Sequence, residues 1–188
     1  MTSTTTILVL GDSLSAEYGL RRGTGWVALL TDKLKANKST AQVVNASISG
    51  DTTSGGRSRL GRLLQRHQPD LLIIELGAND ALRGLSVDQT QVNLQAMTQA
   101  AQKQGAKVLL IGMQVPPNYG RDYAQRFSNI FGKVARAQGA GLVPFMLKGV
   151  ADGPDSQAFF QADRIHSIEA AHPIILANIW SELRKLIQ

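Results

Sequence analysis

Apolar and polar positions along the chain switch repeatedly between two periods. Thr6 to Leu10 is a short β-branched and apolar run ended by Gly11, and it reads as a buried strand. Trp26, Val27, Leu29, Leu30 and Leu34 then recur at helical spacing, which gives that segment one apolar face. Gln42 to Asn45 is a second strand candidate, and Asp70 to Leu76, between Pro69 and Gly77, is a third. Ser86 with Gln89 three residues on forms a capping box that opens a helix through about Gln104. Gly105 stops that helix, and Lys107 to Ile111 supplies a fourth strand. After Pro116 and Pro117 the pattern predicts a helix from about Asp122 to Gln138 and a short fifth strand from Leu142 to Phe145. A loop from Gly149 to Asp163 leads to a last helix reaching Ile187.

Strands interleaved with helices need right-handed crossovers, so the expected fold is α/β. It is a three-layer α/β/α sandwich around a five-stranded parallel sheet, in a single domain spanning residues 1–188. In such sheets ligands sit beyond the carboxyl ends of the strands. That directs attention to Gly11-Asp12-Ser13-Leu14, Ser47-Ile48-Ser49-Gly50-Asp51 and Gly77-Ala78-Asn79-Asp80, which carry the small and polar residues of a pocket floor.

Composition removes some chemistry. Cysteine is absent, which excludes a thiol nucleophile, a thiolate metal site and any disulfide. The formal net charge of +6 raises nucleic acid as a partner, with Arg59, Arg62 and Arg66 on one face of a predicted helix. No aromatic residues interleave with them, so a solvated helix face is the preferred reading and no nucleic-acid partner is expected. Apolar runs are too short to span a membrane, and nothing resembles an amphipathic anchor. The polar start, Met1 to Thr6, lacks the pattern of a signal peptide. The expectation is a cytoplasmic protein, or a periplasmic or secreted one whose signal has been removed.

A serine becomes a nucleophile when a base takes its proton and a third group orients that base. The chain has three histidines. His67 falls at a helix end, where a cation suits the macrodipole. His172 precedes Pro173, at least one turn into the last helix, and reads as a surface or partly buried helix residue. His166 follows Asp163 by three residues in a loop, a separation that lets the carboxylate reach Nδ1 and leaves Nε2 free. The same spacing also describes a solvated loop pair. Ser13 follows the first strand, where Gly11 permits a tight turn; it reads as a nucleophile or as a helix N-cap. Gly50 and Asn79, with the Ser13 N–H, are candidate donors to an oxyanion; singly they read as a turn glycine and a helix cap.

Four blocks in order bear a resemblance. Gly11-Asp12-Ser13-Leu14-Ser15 resembles the first block of the SGNH (GDSL) hydrolases, and it lacks the second glycine of a G-x-S-x-G elbow. Asn45 to Thr52 resembles the second block, Gly77-Ala78-Asn79-Asp80 the third, and Asp163-Arg164-Ile165-His166 the last. Leu76 to Gly84 and Pro117-Asn118-Tyr119-Gly120 are similar to the bacterial thioesterase I, arylesterase and lysophospholipase group. The resemblance implies a flavodoxin-like fold and a triad of Ser13, His166 and Asp163. It also implies an oxyanion hole of Ser13, Gly50 and Asn79, no metal, no cofactor, and export to the periplasm. The activity implied is hydrolysis of small carboxylic esters and acyl thioesters. Arg164 and Ser167 depart from the glycine and proline usual in the last block, and Glu17 stands where a small residue is common near the pocket mouth.

Leu14, Leu82, Met113, Pro116 and Tyr119 are the expected pocket walls, and their apolar character favours an acyl chain. Two rivals stand beside this reading. One is a carbohydrate O-deacetylase on the same fold. The other is a non-catalytic nucleotide- or phosphate-binding module, against which stands the absence of a G-x-x-x-x-G-K-[ST] segment.

Overall fold

The structure, a computed structural model, describes residues 4–187. Five strands, β1 (Thr6–Gly11), β2 (Gln42–Asn45), β3 (Leu71–Glu75), β4 (Lys107–Ile111) and β5 (Gly141–Val143), pair in parallel in the order β2-β1-β3-β4-β5. The helices are α1 (Trp26–Ala36), α2 (Thr53–His67), α3 (Ala78–Leu82), α4 (Val87–Lys103), α5 (Arg121–Gln138) and α6 (His172–Leu186). α1 packs on α6, while α4 packs on both α2 and α5, the pairing expected of two helical layers enclosing a sheet. With both faces covered, every residue of β3 is buried, and Leu71-Leu72-Ile73-Ile74 read as a continuous apolar run rather than an alternation. β2, at the edge, begins and ends with exposed Gln42 and Asn45.

Sequence and structure part at two elements. β5 ends at Val143 rather than Phe145, because Pro144 has no N–H to donate and pairing stops before it. His172 is the first residue of α6, not a turn inside it, and it is fully buried rather than a surface residue. Its Nδ1 accepts the Trp26 N–H at 3.0 Å, capping α1 where Gly25 supplies no side chain. Burial lowers the His172 pKa, against the opposing pull of Glu17 and Glu169. A histidine held neutral contributes stability above its ordinary pKa of about 6.5, which is lost as pH falls below that value.

The chain leaves β1 for β2 on one side and places β3 on the other. The sheet therefore changes direction between β1 and β3, and a crevice opens beyond their carboxyl ends.

Candidate active site

Gly11 closes β1, and its role differs from the tight turn expected of it. A Cβ there would lie 2.7 Å from Ser15 Oγ and 2.8 Å from Glu75 Oε2, so the glycine admits two polar side chains against the backbone. Asp12 then organises the next turn. Its Oδ1 accepts the Leu14 N–H at 3.0 Å, and its carbonyl accepts the N–H groups of Ser15 at 3.2 Å and Ala16 at 3.0 Å. No helix begins at Ser13, so it caps none, and Asp12 rather than Ser13 closes this turn. Ser13 is left with a half-buried hydroxyl and, among the described residues, an N–H without a protein acceptor.

That hydroxyl lies 2.9 Å from His166 Nε2, and His166 Nδ1 lies 2.6 Å from Asp163 Oδ2. Asp163 Oδ1 also accepts the N–H groups of Ile165 at 2.9 Å and His166 at 3.0 Å. The imidazole bond first, then these backbone bonds, hold the Asp163 carboxyl down at about 2. As an anion it accepts a hydrogen bond from Nδ1–H, which leaves Nε2 to accept from Ser13.

The arm carrying this pair is a turn between Phe160 and Ser167, which form an isolated antiparallel bridge. Gln161 ties it down, its Nε2 donating to the carbonyls of Tyr18 at 2.9 Å and Ser167 at 3.1 Å. Arg164 sits in the turn at φ +58°, a left-handed conformation that costs a non-glycine residue about 1 kcal/mol and explains the glycine usual there. Arg164 is not among the groups that shift Asp163.

Asn79 lies within α3, so it is not the cap of that helix. Its Nδ2 donates to Asp12 Oδ2 at 3.1 Å and to the Asp51 carbonyl at 2.9 Å. Gly50 adopts φ +79°, which L side chains avoid, and its carbonyl accepts Arg83 Nη2 at 2.8 Å. Its N–H has no protein acceptor among the described residues. The Asp51 side chain is anchored by Arg59, whose Nη2 is 2.8 Å from Oδ2; that arginine braces the turn rather than facing solvent.

Ser13, Asn79 and His166 open onto one cleft of about 390 Å³, a size suited to a small ligand. Leu14, Leu82, Met113, Pro116 and Tyr119 all line it. Met113 lines the cleft as expected and is at the same time buried in the core. Gly50 does not line the cleft, and neither do His67 and His172. Glu17 is not at the mouth either: its carboxylate accepts the N–H groups of Gly23 at 3.0 Å and Gly25 at 2.8 Å, bracing the entry to α1. Among the described residues no cluster of three His, Asp or Glu side chains suits a metal ion.

Two neighbours of the site were missed in the sequence. The Tyr18 ring lies 4.3 Å from the His166 ring, tilted by 37°, a contact with no local signal. Glu75 is buried behind Gly11, and a carboxyl closing the apolar run Leu71-Leu72-Ile73-Ile74 was its signal.

The profile of the GDSL-like lipase/acylhydrolase family matches residues 9–173. Esterase TesA of Pseudomonas aeruginosa is 50% identical over 182 residues, covering 97% of this chain and 89% of that protein. Thioesterase 1/protease 1/lysophospholipase L1 of Escherichia coli K12 is 41% identical, covering 97% of this chain and 85% of that protein. The solved structure of the psychrotrophic esterase EstA from Pseudoalteromonas sp., inhibited by monoethylphosphonate, superposes with a TM-score of 0.90. It is 39% identical and covers 97% of this chain and 98% of that one.

Proposed function

The chain belongs to the GDSL-like lipase/acylhydrolase family, and from that premise we propose that it hydrolyses carboxylic esters and acyl thioesters through an acyl-enzyme on Ser13. The observation that carries this reading is the 2.9 Å contact from Ser13 Oγ to His166 Nε2, backed by Asp163.

His166 takes the hydroxyl proton as Ser13 Oγ attacks the acyl carbon. Asp163 keeps the Nδ1 proton in place and stabilises the imidazolium that forms. The N–H groups of Ser13 and Gly50, and the Asn79 amide, are the donors assigned to the oxyanion. Collapse breaks the bond to the alcohol or thiol, which leaves with the proton from His166. Water then repeats the sequence on the acyl-enzyme and frees the acid.

The apolar cleft favours an acyl chain over a sugar, since each CH₂ it buries contributes roughly 0.8 kcal/mol. Tyr119 adds a flat face at the rim, 37% exposed and open to a chain end.

A fluorophosphonate should label Ser13 stoichiometrically, and Ser13→Ala should lose both labelling and ester turnover. Full labelling of the variant would remove Ser13 from the mechanism. On p-nitrophenyl esters, kcat/KM should climb from acetate before levelling, with Tyr119→Ala flattening the climb. A strict preference for acetyl esters would instead favour the carbohydrate deacetylase.

A further inference from the structure

Behind the nucleophile lies a pair of carboxyls that the reaction steps do not use. Glu75 ends β3 and Asp12 follows β1, with Gly11 directly opposite Glu75 in the register. Glu75 is 2% exposed and Asp12 1%, and among the described residues no lysine or arginine pairs with either. Two neighbouring carboxyls out of water and without a cation cannot both ionise.

The hydrogen bonds decide which one holds the proton. Trp26 Nε1, a donor only, points at Ser15 Oγ at 3.1 Å, so the Ser15 hydroxyl donates onward to Glu75 Oε2 at 2.6 Å. The same oxygen receives the Asp12 N–H at 3.3 Å. Oε2 is thus an acceptor, and a proton on Glu75 belongs on Oε1. Asp12 accepts at both oxygens, from the Leu14 N–H and the Asn79 amide, as an anion does.

We propose that Glu75 carries a resident proton that bonds the Asp12 carboxylate, making Glu75 a positioning residue for the Asn79 amide and the Ser13 turn. Burial first, then the charge of Asp12, pushes the Glu75 carboxyl well above the usual range. Asp12 rises to about 6, chiefly by burial; Asp51 adds to the rise, while the Leu14 N–H, the bond from Glu75 and His166 oppose it. At neutral pH the pair therefore holds one proton and one charge. The Asn79 amide divides its two N–H groups between Asp12 and the Asp51 carbonyl. By drawing on the Asp12 charge, the Glu75 proton leaves that amide free to share a hydrogen with an oxyanion.

The role in turnover rests on Ser13 and Asn79 acting as proposed, whereas the proton itself is read without turnover. The readout is the wild-type protein labelled with ¹³C at its four glutamate carboxyls, the Glu75 signal being assigned by its loss in Glu75→Gln. The Glu75 signal should stay that of a protonated acid through neutral pH. Glu75→Leu should lower kcat on p-nitrophenyl butyrate by about tenfold or more, with KM within about threefold. Glu75→Gln, which still donates to Asp12 and accepts from Ser15, should restore most of that loss. A Glu75 signal that is that of an ionised carboxylate at neutral pH would overturn the proposal, as would wild-type kcat in Glu75→Leu. Should the leucine variant fail to fold, the carboxyl titration of the wild type decides alone.

Discussion

The proposed nucleophile and the base proposed for it stand on supports of opposite kinds. Ser13 follows a central strand, and the polar groups beneath it answer one another: Asp12 holds Leu14 and Asn79, while Glu75 holds Ser15 and the Asp12 N–H. The base stands on a turn outside the sheet, between Phe160 and Ser167, with Asp163 38% exposed and Arg164 in a left-handed conformation. The contrast follows from what each end must do. The attacking oxygen has to meet fixed oxyanion donors, and a buried, hydrogen-bonded floor fixes it. The imidazole needs only one orientation and one tautomer, and a single carboxylate with a few ties supplies both.

The largest test bears on the arm. Asp163→Asn keeps the shape but disfavours the Nδ1–H tautomer, and should lower kcat by about 10³–10⁴ with the fold intact. Steady-state kinetics and circular dichroism check this together; a loss below tenfold would mean that the arm does not orient the base. The pH behaviour of stability gives a second reading. A carboxyl lowered to about 2 contributes stability above its ordinary pKa of about 3.8, lost as pH falls through about 2. Acid denaturation of Asp163→Asn should lack that component.

Next in size is the floor. On the role proposed for its amide, Asn79→Ala should lower kcat by about 10²–10³, or ~2.7–4 kcal/mol. KM should move little. An unchanged kcat would reduce Asn79 to a brace between Asp12 and Asp51.

The smallest effect should come from a tie. Gln161→Ala removes two hydrogen bonds near the surface of the arm, and should lower kcat about three- to tenfold by loosening it. The midpoint of thermal unfolding should barely move, since the core under β1 and β3 is untouched. A large fall in that midpoint with wild-type kcat would erase the distinction between a rigid floor and a lightly tied arm.

Much of this was legible along the chain because the signals are short-ranged. Periodicity marked the strands and most of the helices, and the segments at the strand ends contained Ser13, Gly50 and Asn79. Other residues carried a misleading local signal. Gly11 reads as a turn glycine, but the space it leaves is for Glu75, a residue 64 positions away. The resemblance puts Glu17 near the pocket mouth, yet its carboxylate turns back to Gly23 and Gly25. His172 reads as a helix surface residue until α6 is laid on α1, where it caps Trp26.

By itself the sequence determined the alternation of strand and helix, the absence of thiol chemistry, and the stock of groups able to act. These follow from composition and from hydrophobic spacing within a few turns or strand lengths. Only the tertiary structure decided which serine meets which histidine, since Ser13 and His166 are 153 residues apart. It also decided that Asp12 and Glu75 share one buried site and that Met113 serves core and cleft at once. Such contacts depend on sheet register and on where each crossover returns, and these are set by packing the whole core rather than by any local run of residues.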